Sequence, residues 1–288
     1  MMSEPAAVIH DLGYRRYEGA RLSTTASLVV LGVHSLRGAF GLGRTARAKI
    51  VPWSLFGIMV LPAAAIMAFT IQFQERMVPF SQYTVVLQTV AAIFLAAQAP
   101  YLVAPDLRYR ILPLYLSRPL TVPGYVAAKV AALTAAMFLL FAAPITLLFL
   151  GEALADLPGR PQVGEYLGAL AGALVFAVVL ASIGLALASV TPRRGLGVAT
   201  VIGFYLFTAG ASGVASGLLR EIGERTAAEW VSMANPFFLV DAVQVTLFGA
   251  DPVGSGYPAG PWAALITIAV VAVAWAALVL RYRKVVSS

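Results

Sequence analysis

The chain has 288 residues, of which 60% are apolar and only 11% are charged. A water-soluble domain carries about 25% charged residues, so this chain cannot cover the surface of a soluble fold. The absence of Cys excludes a disulfide framework, a thiol nucleophile and Cys-based metal sites. The composition therefore predicts an integral membrane protein, and the net charge of +7 has to be interpreted by its distribution along the chain.

The N-terminal segment, 1–50, is predicted to stay in the cytoplasm and to contain one interfacial helix. Residues 7–22 mix charge, Tyr and Gly without a clean period, which leaves a docked peptide and a solvated tail equally open. Apolar residues recur at helical spacing within 27–47, namely Val29, Val33, Leu36 and Phe40. Because His34, Arg37 and Arg44 fall on another face, this pattern predicts an amphipathic helix at the inner membrane surface.

Six later segments are long and apolar enough to cross a membrane as helices. They are 51–71, 84–104, 130–150, 166–190, 196–219 and 261–280. None of them contains Asp, Glu, Lys, Arg or His. They predict one all-α polytopic membrane domain over 1–288, with the six transmembrane helices in 51–280 and a cytoplasmic tail at 281–288.

The distribution of charge predicts the orientation of this domain. Sixteen basic and four acidic residues lie on the side of both termini, against four basic and nine acidic residues on the other side. By the positive-inside rule, both termini are cytoplasmic and the chain is a multi-pass protein of the cell membrane. The positive charge thus reports orientation and gives no support for nucleic-acid binding.

The cytoplasmic loop between the second and third spans is predicted to hold a short basic helix. Pro105 and Asp106 suit a helix start, and Ser117-Arg118-Pro119 suits a helix end. Such a helix is suited to transmit force between two spans. The basic side chains also suit simple anchoring to anionic lipid, which the local chemistry alone favours.

The external segment 220–258 contains a further apolar stretch at 230–249. Asn235-Pro236 breaks its helix and leaves 13 residues, too few to cross the membrane. One interpretation is a broken, re-entrant segment that dips into the membrane from outside. The other is an amphipathic helix that lies on the outer leaflet.

Several kinds of chemistry are excluded or disfavoured by the sequence. His10 and His34 both precede the first span, which excludes a Ser/His dyad inside the membrane, and no HExxH motif occurs. The chain has no GxxxxGK[ST] motif, so it does not carry its own phosphate-binding loop. Spans without charge also disfavour an ion-coupled carrier.

Mild polarity remains inside two spans. In the fifth span one helix face carries Tyr205, Thr208, Ser212 and Ser216, and in the second span a stripe carries Thr84, Gln88 and Gln98. These stripes suit the wall of a substrate path and suit hydrogen bonding between packed helices equally well. The glycine pairs at 168 and 172 and at 213 and 217 favour close helix packing.

The order of these features resembles the permease subunit of ABC-2 type transporters. The resemblance rests on LPLYLSRPLTVPGYVAAK (112–129), NPFFLVDAVQVTLFG (235–249), the interfacial helix and the six spans. IHDLGYRRYEGARL (9–22) is similar to the N-terminal segment of many actinobacterial members. The resemblance covers nearly the whole chain.

This resemblance implies a half-transporter that pairs with a second permease chain, identical or related, and with separate ATP-binding cassette subunits. ATP and Mg²⁺ would bind to those subunits, and this chain would be no enzyme and hold no cofactor. The cargo would be hydrophobic or amphipathic, such as a drug, peptide, lipid or glycan, and would move outward. A secondary transporter and a non-transporting membrane anchor or assembly subunit are the alternatives.

The resemblance also assigns roles to residues. The implied ATPase-coupling residues are Arg37, Asp106, Leu107, Arg108, Tyr109 and Arg110. The implied substrate path contains Gln88, Gln98, Tyr205, Thr208 and Ser212. The implied external gate contains Asn235, Pro236, Phe237 and Phe238.

Overall fold

The computed structural model describes Gly19 and residues 23–117, 120–155, 157–159, 161–254 and 256–287. These residues form helices joined by turns, with no β-strand among them. The helices are α1 (Thr24–Ala39), α2 (Ala46–Phe73), α3 (Phe80–Val86), α4 (Gln88–Arg108), α5 (Leu112–Leu116), α6 (Val122–Leu154), α7 (Val163–Ala188), α8 (Arg194–Glu221), α9 (Arg225–Ser232), α10 (Pro236–Phe248) and α11 (Trp262–Ser287). Most of the 7–22 segment, together with Arg118 and Pro119 of the predicted loop helix, lies outside the described residues.

Six of these helices, α2, α4, α6, α7, α8 and α11, are long and apolar enough to cross a membrane. They confirm the number and order of the predicted spans. The helices extend beyond the apolar stretches. A helix is held by hydrogen bonds along its own backbone, so its last turns can be polar and lie outside the apolar stretch. As a result Lys129 and Glu152, which the sequence placed in loops, lie near the start and end of α6.

Helices α6 and α7 pack against each other at the centre of the bundle. Helices α1 and α2 pack on α6, while α4, α10 and α11 pack on α7. Helix α8 lies at the edge, against α4 and α9, and is the least buried of the six long helices. Its outer face therefore has no close neighbour among the described residues of the chain.

Glycines bring some of these helices close together. A methyl group at Gly172 of α7 would collide with the side-chain amide of Gln244 on α10, and Gly168 lies against Phe248 of the same helix. The predicted close packing at the first glycine pair is therefore confirmed. At Gly213 and Gly217 of α8 an added methyl group would have no described atom within 4 Å, so the second pair packs on nothing in the described part of the chain.

The predicted N-terminal helix exists, but it ends earlier than predicted. Helix α1 starts one residue after Ser23, whose side chain caps it, and ends at Ala39. It cannot continue because Gly41 and Gly43 have φ of 69° and 80°. Val29 and Val33 of the predicted apolar face are exposed and so can face the membrane, while the face that packs on the protein includes Leu31, Ser35, Gly38 and Ala39.

The prediction of a helix start at Pro105 and Asp106 was also wrong. Both residues lie in the last turn of α4, which ends at Arg108. The chain leaves the helix through Arg110, whose φ of 49° is left-handed, and only the five-residue α5 follows. Packing of α4 against α6 overrides the local helix-start signal, because Asp106 finds a partner on α6.

The second span differs from the prediction at its outer end. Helix α3 ends at Val86 and α4 begins at Gln88, with Leu87 between them at φ −93° and ψ 24°. Thr84 therefore lies on a different helix from Gln88 and Gln98, and the predicted polar stripe over these three residues is not continuous.

The predicted helix break in the external segment is confirmed. Helices α9 and α10 meet at an angle of 110°. Asn235 caps α10, because its side-chain oxygen accepts a hydrogen bond from the Phe237 N–H at 3.0 Å, and Pro236 occupies the first helical position. The 13 residues of α10 are too few to cross a membrane alone.

Candidate functional site

Contacts between helix ends define two ends of the bundle. At one end Asp106 of α4 pairs with Lys129 of α6, and Arg281 of α11 donates to the Ser189 carbonyl that follows α7. At the other end Arg76 pairs with Glu152 of α6 and Glu165 of α7. We call these the basic end and the acidic end. The basic end is the one that the charge distribution predicts to be cytoplasmic.

A groove lies between α4 and α8 and encloses a cavity of about 150 Å³. The cavity brings together residues that the resemblance had assigned to the path and to the gate, which are Gln88, Tyr205 and Phe237. The rest of its lining is Thr89, Ala92, Ile93, Ile202, Leu206 and Ala209. Among these described lining residues none is charged, so the groove is apolar with a few neutral polar groups.

The acidic end of the groove is closed by the start of α10. The Asn235 Nδ2 donates a hydrogen bond to Gln88 Oε1 at 3.3 Å, which links the α9–α10 break to the first residue of α4. The Phe237 ring lies near the rings of both Tyr205 and Phe176, at centroid distances of 5.7 and 6.0 Å. Asn235, Pro236 and Phe237 are buried here, while Phe238 is half-buried.

Helix α8 presents its predicted polar face inward. Tyr205, Ser212 and Ser216 are buried and Thr208 is half-buried. The three aliphatic hydroxyls each donate to the carbonyl three residues earlier in α8, so their oxygens keep the capacity to accept. The Tyr205 hydroxyl is buried beside the groove and makes no hydrogen bond within the described residues, so its donor is unsatisfied.

The five predicted path residues therefore separate. Gln88 and Tyr205 line the cavity, and Thr208 and Ser212 continue the same face of α8 beyond it. Gln98 is buried in α4 further along the helix from Gln88, and does not line the cavity. The helical period explains the difference, because the Gln98 side chain is rotated by about 280° around the helix axis from that of Gln88.

The six predicted coupling residues also separate. Arg37, Arg108, Tyr109 and Arg110 are exposed at the basic end, whereas Asp106 and Leu107 are buried. Asp106 Oδ2 lies 2.9 Å from Lys129 Nζ and accepts a hydrogen bond from the Tyr125 hydroxyl. Asp106 therefore holds the end of α4 in place and is not itself presented to a partner.

This buried network extends to a third helix. Lys129 Nζ also donates to the Leu102 carbonyl of α4 at 2.9 Å. The Tyr125 ring packs edge-on against Tyr282 of α11 at a centroid distance of 5.2 Å. We call Asp106, Tyr125, Lys129 and Tyr282 the Asp106 network. It fastens α4, α6 and α11 together directly behind the exposed Arg108-Tyr109-Arg110 turn.

Basic side chains surround that turn on the same end of the bundle. Arg44 and Arg194 both lie over the Tyr101 ring, with Cζ at 4.1 and 5.8 Å from its centroid. The exposed basic side chains described at this end are Arg37, Arg44, Arg47, Lys49, Arg108, Arg110, Arg193, Arg194, Arg283 and Lys284. Asp106, the one acidic residue described at this end, is buried, so the exposed surface here is positive.

A second buried carboxylate, Asp241 of α10, was missed by the sequence reasoning. It accepts hydrogen bonds from the Tyr257 hydroxyl at 2.5 Å and the Val253 N–H at 3.0 Å. Burial and, after it, the Asp241 carboxylate raise the pKa of the Tyr257 hydroxyl above its usual range, so this phenol stays a donor. Asp241 thus fastens the segment before α11 onto α10. Its place in an otherwise apolar run was the only signal in the sequence.

Among the described residues no group of three or more His, Asp or Glu side chains is arranged to hold a metal ion. Comparison with known proteins does not name a family for the chain. No family model matches it, and no curated protein matches it either.

Proposed function

We propose that the chain is the membrane-spanning permease subunit of an exporter driven by a separate ATP-binding cassette ATPase. The observation that carries the proposal is the uncharged groove between α4 and α8, which contains Gln88 and Tyr205 and is closed at the acidic end by Phe237. The resemblance to ABC-2 type permeases had assigned these same residues to a path and a gate. Their convergence in one groove supports that assignment.

The chemistry of the groove favours hydrophobic or amphipathic cargo. Its aliphatic and aromatic walls disfavour a strongly hydrated ion, while the Gln88 amide and the Tyr205 hydroxyl offer hydrogen bonds to a polar head. A cavity of about 150 Å³ is small for a drug, lipid or peptide. We infer that it is one half of a path that a second chain completes.

The outer face of α8 supports pairing with a second permease chain. Leu206, Phe207, Val214 and Leu218 are each more than half exposed there, and the glycines at 203, 210, 213 and 217 have no close neighbour among the described residues. Small residues allow close helix approach in lipid, where apolar side chains alone give little driving force for association. A partner on this face would lie beside the groove, since Leu206 is exposed here and also lines the groove.

The energy source is proposed to be an ATPase that docks at the basic end, in the cytoplasm. Arg37, Arg108, Tyr109 and Arg110 are exposed there and available to a partner. The Asp106 network behind them ties this surface to α4, α6 and α11, so a push on the turn would be transmitted to α4, which borders the groove. Anionic lipid is the alternative ligand of the same basic side chains.

The orientation of the bundle is tested by cysteine labelling, for which a Cys-free chain is convenient. Ser287→Cys at the end of α11 is expected to resist a membrane-impermeant thiol reagent in intact cells. Gly254→Cys, exposed in the segment before α11, is expected to react. The opposite pattern would overturn the assignment of both termini to the cytoplasm.

The groove is tested by ATP hydrolysis in the native complex, reconstituted in nanodiscs. Tyr205→Phe removes one hydroxyl and Gln88→Leu removes one amide, and each is expected to reduce cargo-stimulated hydrolysis several-fold while basal hydrolysis persists. The matched control is Ser54→Ala, which removes an exposed hydroxyl on α2. Equal effects of all three substitutions would contradict a path in the groove.

Two alternatives make different predictions for the same complex. A secondary transporter would move cargo in a proton or sodium gradient without ATP, and ionophores would abolish this transport. A membrane anchor or assembly subunit would leave the hydrolysis rate of any bound ATPase unchanged when Arg108 and Arg110 are replaced by Ala. We expect a loss of hydrolysis from those replacements, because the exposed turn is the docking surface.

A further inference from the structure

Two arginines at the basic end share one aromatic ring. Arg44, in the segment between α1 and α2, and Arg194, the first residue of α8, both lie over Tyr101 of α4, with Cζ at 4.1 and 5.8 Å from the ring centroid. The attraction of a guanidinium to an aromatic face stabilises both positions. We call these three residues the Tyr101 cluster. It contains no lining residue of the cavity between α4 and α8, so a ligand here is independent of the proposed function.

The Tyr101 cluster holds two positive charges close together. Neither arginine forms an ion pair with an acidic residue in the described part of the chain, and Asp106 at this end is buried against Lys129. The two guanidinium groups are no further apart than their two ring distances combined, so they repel each other. An anion in contact with both would remove this repulsion. Phosphate suits the role, because a guanidinium binds it through two parallel hydrogen bonds.

The ring between the arginines is fixed by its neighbours. Gly38 of α1 lies against it, and a methyl group at Gly38 would be 3.1 Å from both Cε1 and the hydroxyl oxygen of Tyr101. The preceding residue of α4, Pro100, meets Gly197 of α8 just as closely. The ring is therefore held where α1, α4 and α8 meet, while both arginine side chains are exposed and able to reorient around a ligand.

The cluster lies at the depth of lipid headgroups. Arg44 shortly precedes the apolar stretch of α2 that starts at 51, and Arg194 shortly precedes the stretch of α8 that starts at 196. Trp53, in the second turn of α2, is exposed, and tryptophan is enriched at membrane–water interfaces. Two spans thus bring their arginines to the level of the phospholipid phosphates.

Apolar surface continues from the cluster into the membrane. Ala97 lies one turn from Tyr101 on the same face of α4 and is half-buried. Ile50 of α2 and Leu196 of α8 are both more than half exposed. An acyl chain attached to a bound phosphate would lie against these side chains, whereas a soluble anion would make no use of them.

We propose that the Tyr101 cluster binds an anionic phospholipid from the leaflet at the basic end. The lipid phosphate accepts hydrogen bonds from the guanidinium groups of Arg44 and Arg194, and an acyl chain covers Ala97. A zwitterionic lipid binds less tightly, because its ammonium group is repelled by the same arginines. These side chains are distinct from the exposed Arg108-Tyr109-Arg110 turn that is proposed to contact an ATPase.

The test titrates the delipidated full-length chain in mild detergent with phosphatidylglycerol or with phosphatidylcholine of the same acyl chains. Native mass spectrometry resolves each bound lipid and gives a dissociation constant for the first one. We expect the first phosphatidylglycerol to bind at least about fivefold more tightly than phosphatidylcholine. Glycerol phosphate, the soluble headgroup, is added in molar excess and is expected not to displace the lipid.

Substitutions locate the binding. Arg44→Gln and Arg194→Gln are each expected to weaken the first phosphatidylglycerol about fivefold. The matched control is Arg283→Gln, which removes an exposed charge of α11 at the same end and should change the affinity less than about twofold. Tyr101→Leu is expected to weaken binding about threefold, and Tyr101→Phe, which keeps the ring, should bind as the unmodified chain does.

Three results would overturn the proposal. The first is equal affinity for the two lipids in a chain that elutes as a single folded species. The second is equal weakening by Arg283→Gln and Arg44→Gln, which would show diffuse attraction of anionic lipid to the whole basic end. The third is displacement of the lipid by glycerol phosphate, which would show a site for a soluble anion.

Discussion

Replacement of Asp106 by Ala is expected to destabilise the fold strongly. The substitution removes the carboxylate that lies 2.9 Å from Lys129 Nζ and that accepts from the Tyr125 hydroxyl. Both side chains of the ion pair are buried, at 8% and 11% exposure, so an unpaired ammonium would remain inside the protein. Breaking a buried pair in this way costs about 3–5 kcal/mol. Since the Leu102 carbonyl still accepts from Lys129, the lower end of that range is expected here.

The assay is equilibrium unfolding in mixed detergent micelles with SDS as denaturant, followed by far-UV circular dichroism. Asp106→Leu combined with Lys129→Met removes both charges, and it is expected to recover most of the loss. Arg108→Ala, close by and exposed, is the control and should cost less than about 0.5 kcal/mol. A loss from Asp106→Ala as small as that of the control would refute a stabilising buried pair, and so would a double variant no more stable than the single one.

Two further predictions concern helix packing and the segment before α11. Gly172→Ala should lower the free energy of unfolding by about 1–3 kcal/mol, because its methyl group would displace the Gln244 amide. Gly213→Ala meets open space and should leave the stability unchanged or slightly raised. Equal unfolding midpoints for the two variants would contradict the close approach of α7 and α10. Asp241→Ala should lower the free energy of unfolding by about 1–3 kcal/mol and speed proteolysis of 249–261, since the Tyr257 hydroxyl loses its acceptor. An unchanged rate of proteolysis would show that Asp241 does not hold this segment.

The number, order and approximate centres of the membrane helices could be predicted from the sequence. Apolar stretches of about 20 residues are a direct consequence of membrane thickness, so they need no knowledge of tertiary contacts. The break at Asn235-Pro236 was equally accessible, because proline chemistry and side-chain capping act locally.

The helix ends and the buried charges could not be predicted in this way. Pro105 and Asp106 carry a local signal for a helix start, yet Asp106 is satisfied by Lys129, which lies on a different helix. The same holds for Arg76, whose partners on α6 and α7 are brought to it only by the fold. Residues in long-range ion pairs look like ordinary loop charges until the helices are assembled.

The candidate groove was predicted only in part. The helical period placed Tyr205, Thr208 and Ser212 on one face of α8, and the structure turns that face inward. The same period separates Gln98 from Gln88 within α4, but the sequence did not reveal the break at Leu87, which puts Thr84 on a different helix. Register at a helix break depends on packing, which local spacing does not contain.

The proposed dependence of this chain on a separate ATPase is tested most directly on the native complex, purified in mild detergent. Its subunit masses and its rate of ATP hydrolysis are measured on the same sample. We expect two permease chains with ATP-binding subunits, and hydrolysis that is lost when Arg108 and Arg110 are both replaced by Ala. A chain that purifies alone and moves cargo in an ion gradient without ATP would contradict the proposal.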